Sequence, residues 1–367
     1  MIVMFSAAAP AWARFSAAFA LTGIAAGLAA LGFVAAMDPY GLRAGPGRPA
    51  GPLMDRNQRF MYPQVARAGA YDAAVFGTST ARLLDPRDLD RAFGTRFANL
   101  AVNAATPDEQ GALARLFLRR GGARAVLFAL DATWCEARPA RRTAHPFPDW
   151  LYAPGMPWGR LRQMNGQSLG IAARVALNRL GLDPARIRDD GYAVFTPPES
   201  AYDAARAARH IHGGDGGLDP AASDPEPAAP RAFPAPDAAP PQAVEPEARP
   251  AMPMLSDLDG LLAQVPAGAH RLVAFMPVHA VMQGLPGTAQ GVREAACKAQ
   301  VAAIGRARGA VVVDFRIPSP ITTRDENYWD ALHYRLPVAA RIVEGLRAAA
   351  QTGLDAPDGA YRVLAHP

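Results

Sequence analysis

One serine and a distant Asp–His pair have the residue types that acyl-transfer chemistry needs. Ser79 follows a short apolar run and a glycine, in the sequence Val-Phe-Gly-Thr-Ser-Thr at 75–80. Asp330 and His333 lie three positions apart much later in the chain. A serine hydroxyl becomes a good nucleophile only when a base takes its proton, and a carboxylate must orient that base. These residues therefore predict a Ser-His-Asp site, although the Thr-Ser-Thr run would alternatively serve only as a helix cap.

Alternating strands and helices are predicted around these residues. Continuous apolar runs and amphipathic periods predict strands at 73–76, 97–102, 125–130, 271–276 and 310–315, and helices at 57–68, 89–93, 108–120, 292–308 and 337–350. This alternation implies a doubly wound, mostly parallel α/β sheet. Gly77, Asn103 and Asp131 directly follow three of the strands. Because ligands bind beyond the carboxyl ends of such strands, we expect these residues at the same edge as Ser79.

Three blocks of the sequence resemble those of the SGNH (GDSL-like) hydrolase superfamily. They are Gly77-Thr78-Ser79, the run Asn-Leu-Ala-Val-Asn-Ala at 99–104, and Asp330-x-x-His333. The resemblance covers about residues 72–135 and 270–348, and it implies a three-layer SGNH/flavodoxin-like fold. It also implies that Ser79 is the nucleophile, His333 the base and Asp330 its orienting partner. With an apolar segment ahead of the blocks, the chain is similar to the membrane-anchored branch of D-alanyl-transfer and alginate-type O-acetylation proteins.

The chain departs from the superfamily pattern where the oxyanion would be held. Ala104 occupies the place of the block-two glycine, and Leu-Asp-Ala-Thr at 130–133 replaces the Gly-x-Asn-Asp of block three. Asn103, Ala104 or Thr133 would then have to supply the donors that stabilise an oxyanion. A weak esterase, an acyltransferase with a rearranged oxyanion hole and an inactive relative all remain open.

Two further residues are candidates for substrate contact. Asp131 follows the third predicted strand, and His279 follows the fourth in Pro-Val-His-Ala. Asp131 would alternatively cap a helix, and His279 would be an ordinary loop histidine. The sequence predicts no metal site and no cofactor, and Cys135 and Cys297 could pair in an oxidising compartment.

Composition argues against a nucleic-acid partner. The 367 residues carry a formal net charge of +5, and Lys298 is the only lysine among 38 basic residues. Because this arginine bias accompanies many alanines, glycines and prolines, we attribute it to coding bias. No basic patch interleaved with aromatic residues supports nucleic-acid binding.

An apolar segment and a Pro/Ala-rich segment divide the chain. Residues 15–37 are uncharged and long enough to cross a hydrocarbon core of about 30 Å. They predict an anchor in the inner membrane, with a cleaved signal peptide as the alternative. The predicted organisation is a cytoplasmic N-terminus at 1–14, the anchor at 15–37, a juxtamembrane segment at 38–70, an SGNH-like domain at 71–212 and 255–350, a disordered insert at 213–254 and a C-terminal tail at 351–367.

These features together predict a membrane-anchored serine esterase or O-acyltransferase facing the periplasm or exterior. The resemblance implies that it acts on O-acyl groups of a cell-envelope or exported polysaccharide. The expected partners are the inner membrane and an acylated glycan or acyl donor, and the resemblance implies a membrane-bound O-acyltransferase for a transferase. The alternatives are an inactive scaffold or carbohydrate-binding protein with the same fold, and a plain secreted esterase.

Overall fold

The computed structural model describes residues 8–45, 47–153, 161–213 and 251–367. Most of the predicted disordered insert, residues 214–250, lies outside the described residues, as do positions 1–7 of the predicted cytoplasmic N-terminus. Helices in the described ranges are α1 (Ala8–Met37), α2 (Gln58–Ala68), α3 (Ser79–Arg82), α4 (Pro86–Phe93), α5 (Pro107–Leu118), α6 (Asp149–Tyr152), α7 (Gly166–Arg179), α8 (Ala204–His212), α9 (Met254–Ala263), α10 (Ala289–Arg308) and α11 (Leu336–Thr352).

A single mixed sheet lies at the centre of the described structure. Its strands are β1 (Ala73–Phe76), β2 (Phe97–Asn99), β3 (Ala125–Leu130), β4 (His270–Phe275), β5 (Val311–Asp314) and β6 (Arg362–Ala365), in the order β2-β1-β3-β4-β5-β6. The first five strands are parallel, whereas β6 pairs antiparallel with β5. The prediction of an α/β, mostly parallel sheet is confirmed. The antiparallel edge strand lies in the segment that the sequence predicts as a tail.

Helices cover both faces of the sheet. Phe76 and Phe128 belong to a core shared with α2, α5, α9 and α10, whereas Val75 and Leu127 belong to a core shared with α4 and α11. This division follows from the alternation of side chains along a strand. All four residues of β1 are buried because both faces are covered, which explains its unbroken apolar sequence.

The strand order places a crevice at the carboxyl ends of β1 and β3. The chain passes from β1 to β2 on one side and then returns to β3 on the other side of β1. Such a reversal leaves an opening between the two strands where open α/β sheets bind ligands. Ser79 begins α3 directly beyond β1 and therefore lies at this opening.

The N-terminal helix α1 is apolar and long enough to span a membrane. The candidate span is Ala11–Met37, and the side chains of residues 11–29 are all exposed. Length and composition are compatible with a single-pass anchor.

A disulfide joins two elements that are distant in sequence. Cys135, in the 3₁₀ turn after β3, is bonded to Cys297 of α10, and both residues are buried. The sequence alone leaves open whether the two cysteines pair, and in the structure they form a disulfide.

Candidate active site

The predicted nucleophile, base and carboxylate meet at the carboxyl edge of the sheet. Nε2 of His333 lies 2.9 Å from Oγ of Ser79, across 254 residues of sequence. Nδ1 of the same ring lies 2.8 and 3.0 Å from the two carboxylate oxygens of Asp330. With the ring proton on Nδ1, His333 donates to Asp330 and accepts from the serine hydroxyl. This is the hydrogen-bond order that a serine nucleophile needs.

The turn before α11 holds the Asp–His pair in place. Oδ1 of Asp330 accepts the backbone N–H groups of Leu332 at 2.7 Å and His333 at 2.8 Å, and the Asp330 residue is only 2% exposed. Burial raises the pKa of Asp330, but the His333 ring and these hydrogen bonds outweigh burial and hold that pKa below its usual value. The carboxylate therefore stays ionised and can stabilise a protonated His333.

The turn from β1 into α3 presents Ser79 to the opening. A Cβ at Gly77 would lie 2.9 Å from Ala129 Cβ, Ala129 O and Ala81 Cβ, so only glycine fits where β1 and β3 approach. Thr78 occupies the N-cap position of α3 but makes no side-chain capping hydrogen bond. The cap interpretation of the Thr-Ser-Thr run therefore lacks its expected bond. Ser79 itself remains partly exposed.

A tyrosine connects the nucleophile turn to the histidine loop. The hydroxyl of Tyr334, directly after His333, donates to the backbone carbonyl of Thr80, directly after Ser79. Tyr334 is fully buried, and burial raises the pKa of its hydroxyl well above the usual value. The hydroxyl therefore stays protonated and keeps its donor role at neutral pH.

Ala104 adopts the backbone conformation of a glycine. Its φ is 48°, in the left-handed region, which costs an L-residue about 1–2 kcal/mol. Ala104 therefore holds a backbone conformation that a glycine would adopt without this cost. Within the described residues, the backbone N–H groups of Ser79 and Ala104 have no hydrogen-bond acceptor. Both N–H groups can therefore donate to a bound molecule.

Asn103 offers a third donor, oriented by an arginine beside the nucleophile. Its Oδ1 accepts a 2.8 Å hydrogen bond from Nη1 of Arg82. Because the amide oxygen is engaged, the amide NH₂ group faces away from Arg82, and it has no acceptor in the part of the chain that the structure describes. Asn103 is partly exposed, so this group can reach a ligand.

Arg82 and Phe195 are site residues that the sequence analysis does not identify. Arg82 is only 4% exposed, and its guanidinium carbon lies 4.6 Å from the centroid of the Phe195 ring. The Phe195 ring in turn meets the His333 ring edge-on, with centroids 5.3 Å apart. The position of Arg82, one turn after Ser79, is a usable signal, whereas Phe195 lies in an irregular segment with no pattern of its own.

No family model, curated protein or solved structure matches this chain.

Thr133 and Asp131 form a local cap beyond β3. Oδ1 of Asp131 accepts the backbone N–H of Thr133 at 2.9 Å and its hydroxyl at 2.5 Å. These contacts make Asp131 the N-cap of the 3₁₀ turn that contains Cys135. The Thr133 hydroxyl donates its proton to Asp131 and is not free for an oxyanion in this conformation. These contacts of Asp131 are those of a helix cap, which is the alternative role that its sequence position predicts.

His279 lies in a different cluster from the triad. Its Nε2 is 3.1 Å from Oδ1 of Asp325, whose other oxygen is 3.0 Å from Nε2 of His212. Burial lowers the pKa of His279, with the Asp325 charge opposing that effect. In the described structure, the His279 side chain hydrogen-bonds to neither Ser79 nor His333. Its backbone N–H donates to the Ala331 carbonyl at 2.9 Å, so His279 packs against the loop that carries Asp330 and His333.

The arrangement combines a serine hydroxyl, a histidine hydrogen-bonded to it and N–H groups that have no acceptor among the described residues. Among the described residues, no group of three or more His, Cys, Asp or Glu side chains is placed to hold a metal ion. The chemistry that these side chains themselves offer is proton transfer from Ser79 to His333, together with stabilisation of negative charge by N–H groups.

Proposed function

We propose that this protein is a membrane-anchored serine enzyme of the SGNH type that transfers or hydrolyses O-acyl groups on a cell-envelope or exported polysaccharide. The observation that carries the proposal is the continuous hydrogen-bond chain from Ser79 through His333 to Asp330. These three residues lie beyond the carboxyl end of β1, at the point where the strand order changes direction. Open α/β sheets bind ligands at such a point.

The proposed reaction has two steps. His333 takes the proton of Ser79 Oγ as the oxygen attacks the acyl carbonyl, and the N–H groups of Ser79, Ala104 and Asn103 hold the oxyanion. The alcohol leaves with the proton from His333, and the acyl group stays on Ser79. Water or a glycan hydroxyl then attacks this ester and gives its proton to His333. His333 returns that proton to Ser79 Oγ as the serine leaves, and free acid or acylated glycan is released. Asp330 stabilises the imidazolium in both steps.

Two features support an anchored location outside the cytoplasm. The Cys135–Cys297 disulfide is of the kind that persists in oxidising compartments, which supports the side of the membrane. The apolar helix α1 leads directly into the folded domain and is long enough to span a membrane, which supports the anchor. The polysaccharide substrate and the membrane-bound O-acyltransferase partner are proposed from the resemblance to membrane-anchored SGNH-type proteins.

Acetyl-ester turnover by the full-length protein in detergent tests the function. We expect acetate release from p-nitrophenyl acetate and from an O-acetylated polysaccharide, but not from long-chain p-nitrophenyl esters. Ser79→Ala should reduce release to the uncatalysed rate. In the wild type, a rapid acid quench should trap an acetyl group on Ser79. Equal release by the wild type and Ser79→Ala would overturn the proposal, whereas a preference for long chains would favour a lipase.

The occupied Thr133 hydroxyl favours one second candidate. Because Thr133 donates to Asp131 where the superfamily has its asparagine donor, a non-catalytic scaffold or carbohydrate-binding protein would fit the same fold. Losing one oxyanion donor costs on the order of 100- to 1,000-fold in rate. A scaffold would bind the polysaccharide equally well with Ser79→Ala and would form no acyl-enzyme.

A further inference from the structure

Helix α7 has two apolar faces, and one of them is uncovered. The buried face carries Ser168, Ile171, Ala172 and Val175. A second stripe, spaced by four, four and three residues along the helix, consists of Leu169, Ala173, Leu177 and Leu180. The three leucines are 40%, 42% and 71% exposed, and Leu182 just beyond is also 71% exposed. The solvent-exposed face of a helix on a soluble domain ordinarily carries polar residues.

The uncovered stripe belongs to a helix that packs on the end of α1. Nη2 of Arg179, in the last turn of α7, donates to the carbonyl of Met37, the last residue of α1, at 3.3 Å. At the other end of α7, the hydroxyl of Ser168 lies 3.1 Å from that of Tyr40. Within α1, Val34 is buried. Helix α7 is therefore fixed to the place where the apolar helix enters the domain.

The exposure of α1 places α7 at the membrane boundary. Residues 11–29 are exposed throughout, and burial begins at Ala30. A hydrocarbon core of about 30 Å needs about 20 helical residues, close to the length of this exposed stretch. The part of α1 that packs on the domain, residues 30–37, is therefore the domain-side end of the candidate span Ala11–Met37, next to the lipid headgroups.

The charges of this region fit a lipid surface. Residues 161–182 contain Arg162, Arg174 and Arg179 and no aspartate or glutamate. Basic residues beside an exposed apolar stripe are typical of helices that lie in the membrane interface, where arginine meets lipid phosphate.

We propose that α7 and the following turn, through Leu182, lie in the headgroup region of the bilayer that α1 spans, with the leucine stripe embedded in lipid. This inference rests on the proposed membrane anchor. The surface gives the domain a second point of attachment, which fixes the tilt of the Ser79 opening relative to the membrane.

Fluorescence quenching of the full-length protein in vesicles tests this surface. Single-cysteine variants Leu28→Cys, Leu180→Cys, Leu182→Cys and Leu354→Cys would be labelled with an NBD maleimide under non-reducing conditions, which leave the Cys135–Cys297 disulfide closed. The vesicles would contain phosphatidylethanolamine and phosphatidylglycerol, with or without a lipid spin-labelled high on its acyl chain.

Leu354 is a matched control, because it is as exposed as the stripe but lies elsewhere. It is 67% exposed and precedes β6, at one edge of the sheet. The segment after α7 lies along the other edge, where the Asn99 N–H of β2 donates to the Asp190 carbonyl at 2.8 Å. Lipid contact at α7 should therefore leave Leu354 in water.

We expect the spin label to reduce emission about two-fold at Leu180 and Leu182, as for a group embedded in the interface. Emission at Leu354 should stay unchanged. Quenching at Leu28 without quenching at Leu180 and Leu182 would overturn the inference and leave the anchor standing. Absence of quenching at Leu28 would instead contradict the anchor itself. If Leu180 is shielded from water by a second protein copy, its emission will be blue-shifted but insensitive to the lipid label, which also overturns the inference.

Discussion

Asn103 carries the side-chain donor on which the proposed oxyanion hole depends. Asn103→Asp keeps an acceptor for Arg82 but removes the NH₂ group, which has no acceptor among the described residues. We expect kcat for p-nitrophenyl acetate to fall by about 100- to 1,000-fold with little change in KM, because the donor acts mainly in the transition state. Steady-state kinetics measure both constants. An unchanged kcat would show that the backbone N–H groups suffice.

Arg82 should act on the reaction through Asn103. Arg82→Met removes the hydrogen bond that orients the side-chain amide of Asn103, so the amide can rotate and its NH₂ group is no longer held in place. We expect a loss of kcat about as large as that of Asn103→Asp. Arg82→Lys retains a donor and should recover part of the rate. The two substitutions together should cost little more than either alone, because they remove the same interaction. Fully additive losses would contradict a positioning role.

The left-handed backbone at Ala104 predicts a stabilising substitution. Ala104→Gly removes the strain of the Cβ, and after the larger unfolded-state entropy of glycine we expect a gain of about 0.5–1 kcal/mol in the free energy of unfolding. Activity should be retained, since the N–H group remains. Ala132→Gly is a control, because this exposed alanine is outside the left-handed region. Denaturant unfolding should show a gain for the first variant and a loss for the second.

At the scale of elements, the disulfide connects β3 to the helix layer. Because it closes a loop across 162 residues, its removal should lower the free energy of unfolding by about 4–5 kcal/mol. Cys135→Ala with Cys297→Ala tests this in denaturant unfolding, with the reduced wild type as a comparison. A denaturation midpoint that does not respond to reductant would contradict the prediction.

The buried elements are the ones that the sequence predicts well. β3 and the last four residues of β4 are continuous apolar runs because helices cover both sides of the sheet. The Asp330–His333 spacing is recognisable in the sequence because both residues belong to a single turn. The strand β6 was not predictable, since Arg362 is exposed and Val363 and Leu364 are only half-buried at an edge. Its pairing depends on β5, which no local pattern reveals.

The site is less predictable than the fold, because its supporting contacts are long-range. An arginine such as Arg82 is ordinarily exposed, and its burial depends on Phe195 and Asn103, which reach it from other segments. Asp131 and Thr133 have side chains that could contact a substrate or an oxyanion. Because they are two residues apart, they hydrogen-bond to each other and form a local cap instead. Spacing alone does not separate these two outcomes.

For the whole molecule, the ionised Asp330 links stability to pH. Because its pKa in the folded protein lies below the usual value, its contribution is fully present above about pH 4 and is lost as pH falls through the folded-state pKa. Asp330→Asn should therefore lower the free energy of unfolding at neutral pH and give a shallower decline toward acid. Unfolding curves between about pH 7 and pH 2 measure this, and parallel declines would contradict it.

The central claim is that Ser79 is an activated nucleophile, and covalent labelling tests it most directly. Full-length protein in detergent would be treated with a fluorophosphonate probe, and the adduct located by peptide mass spectrometry. The account predicts one adduct on Ser79, absent in Ser79→Ala and sharply reduced in His333→Ala, where the base 2.9 Å from the hydroxyl is gone. A folded wild-type protein that stays unlabelled, or an adduct that persists in Ser79→Ala, would contradict it.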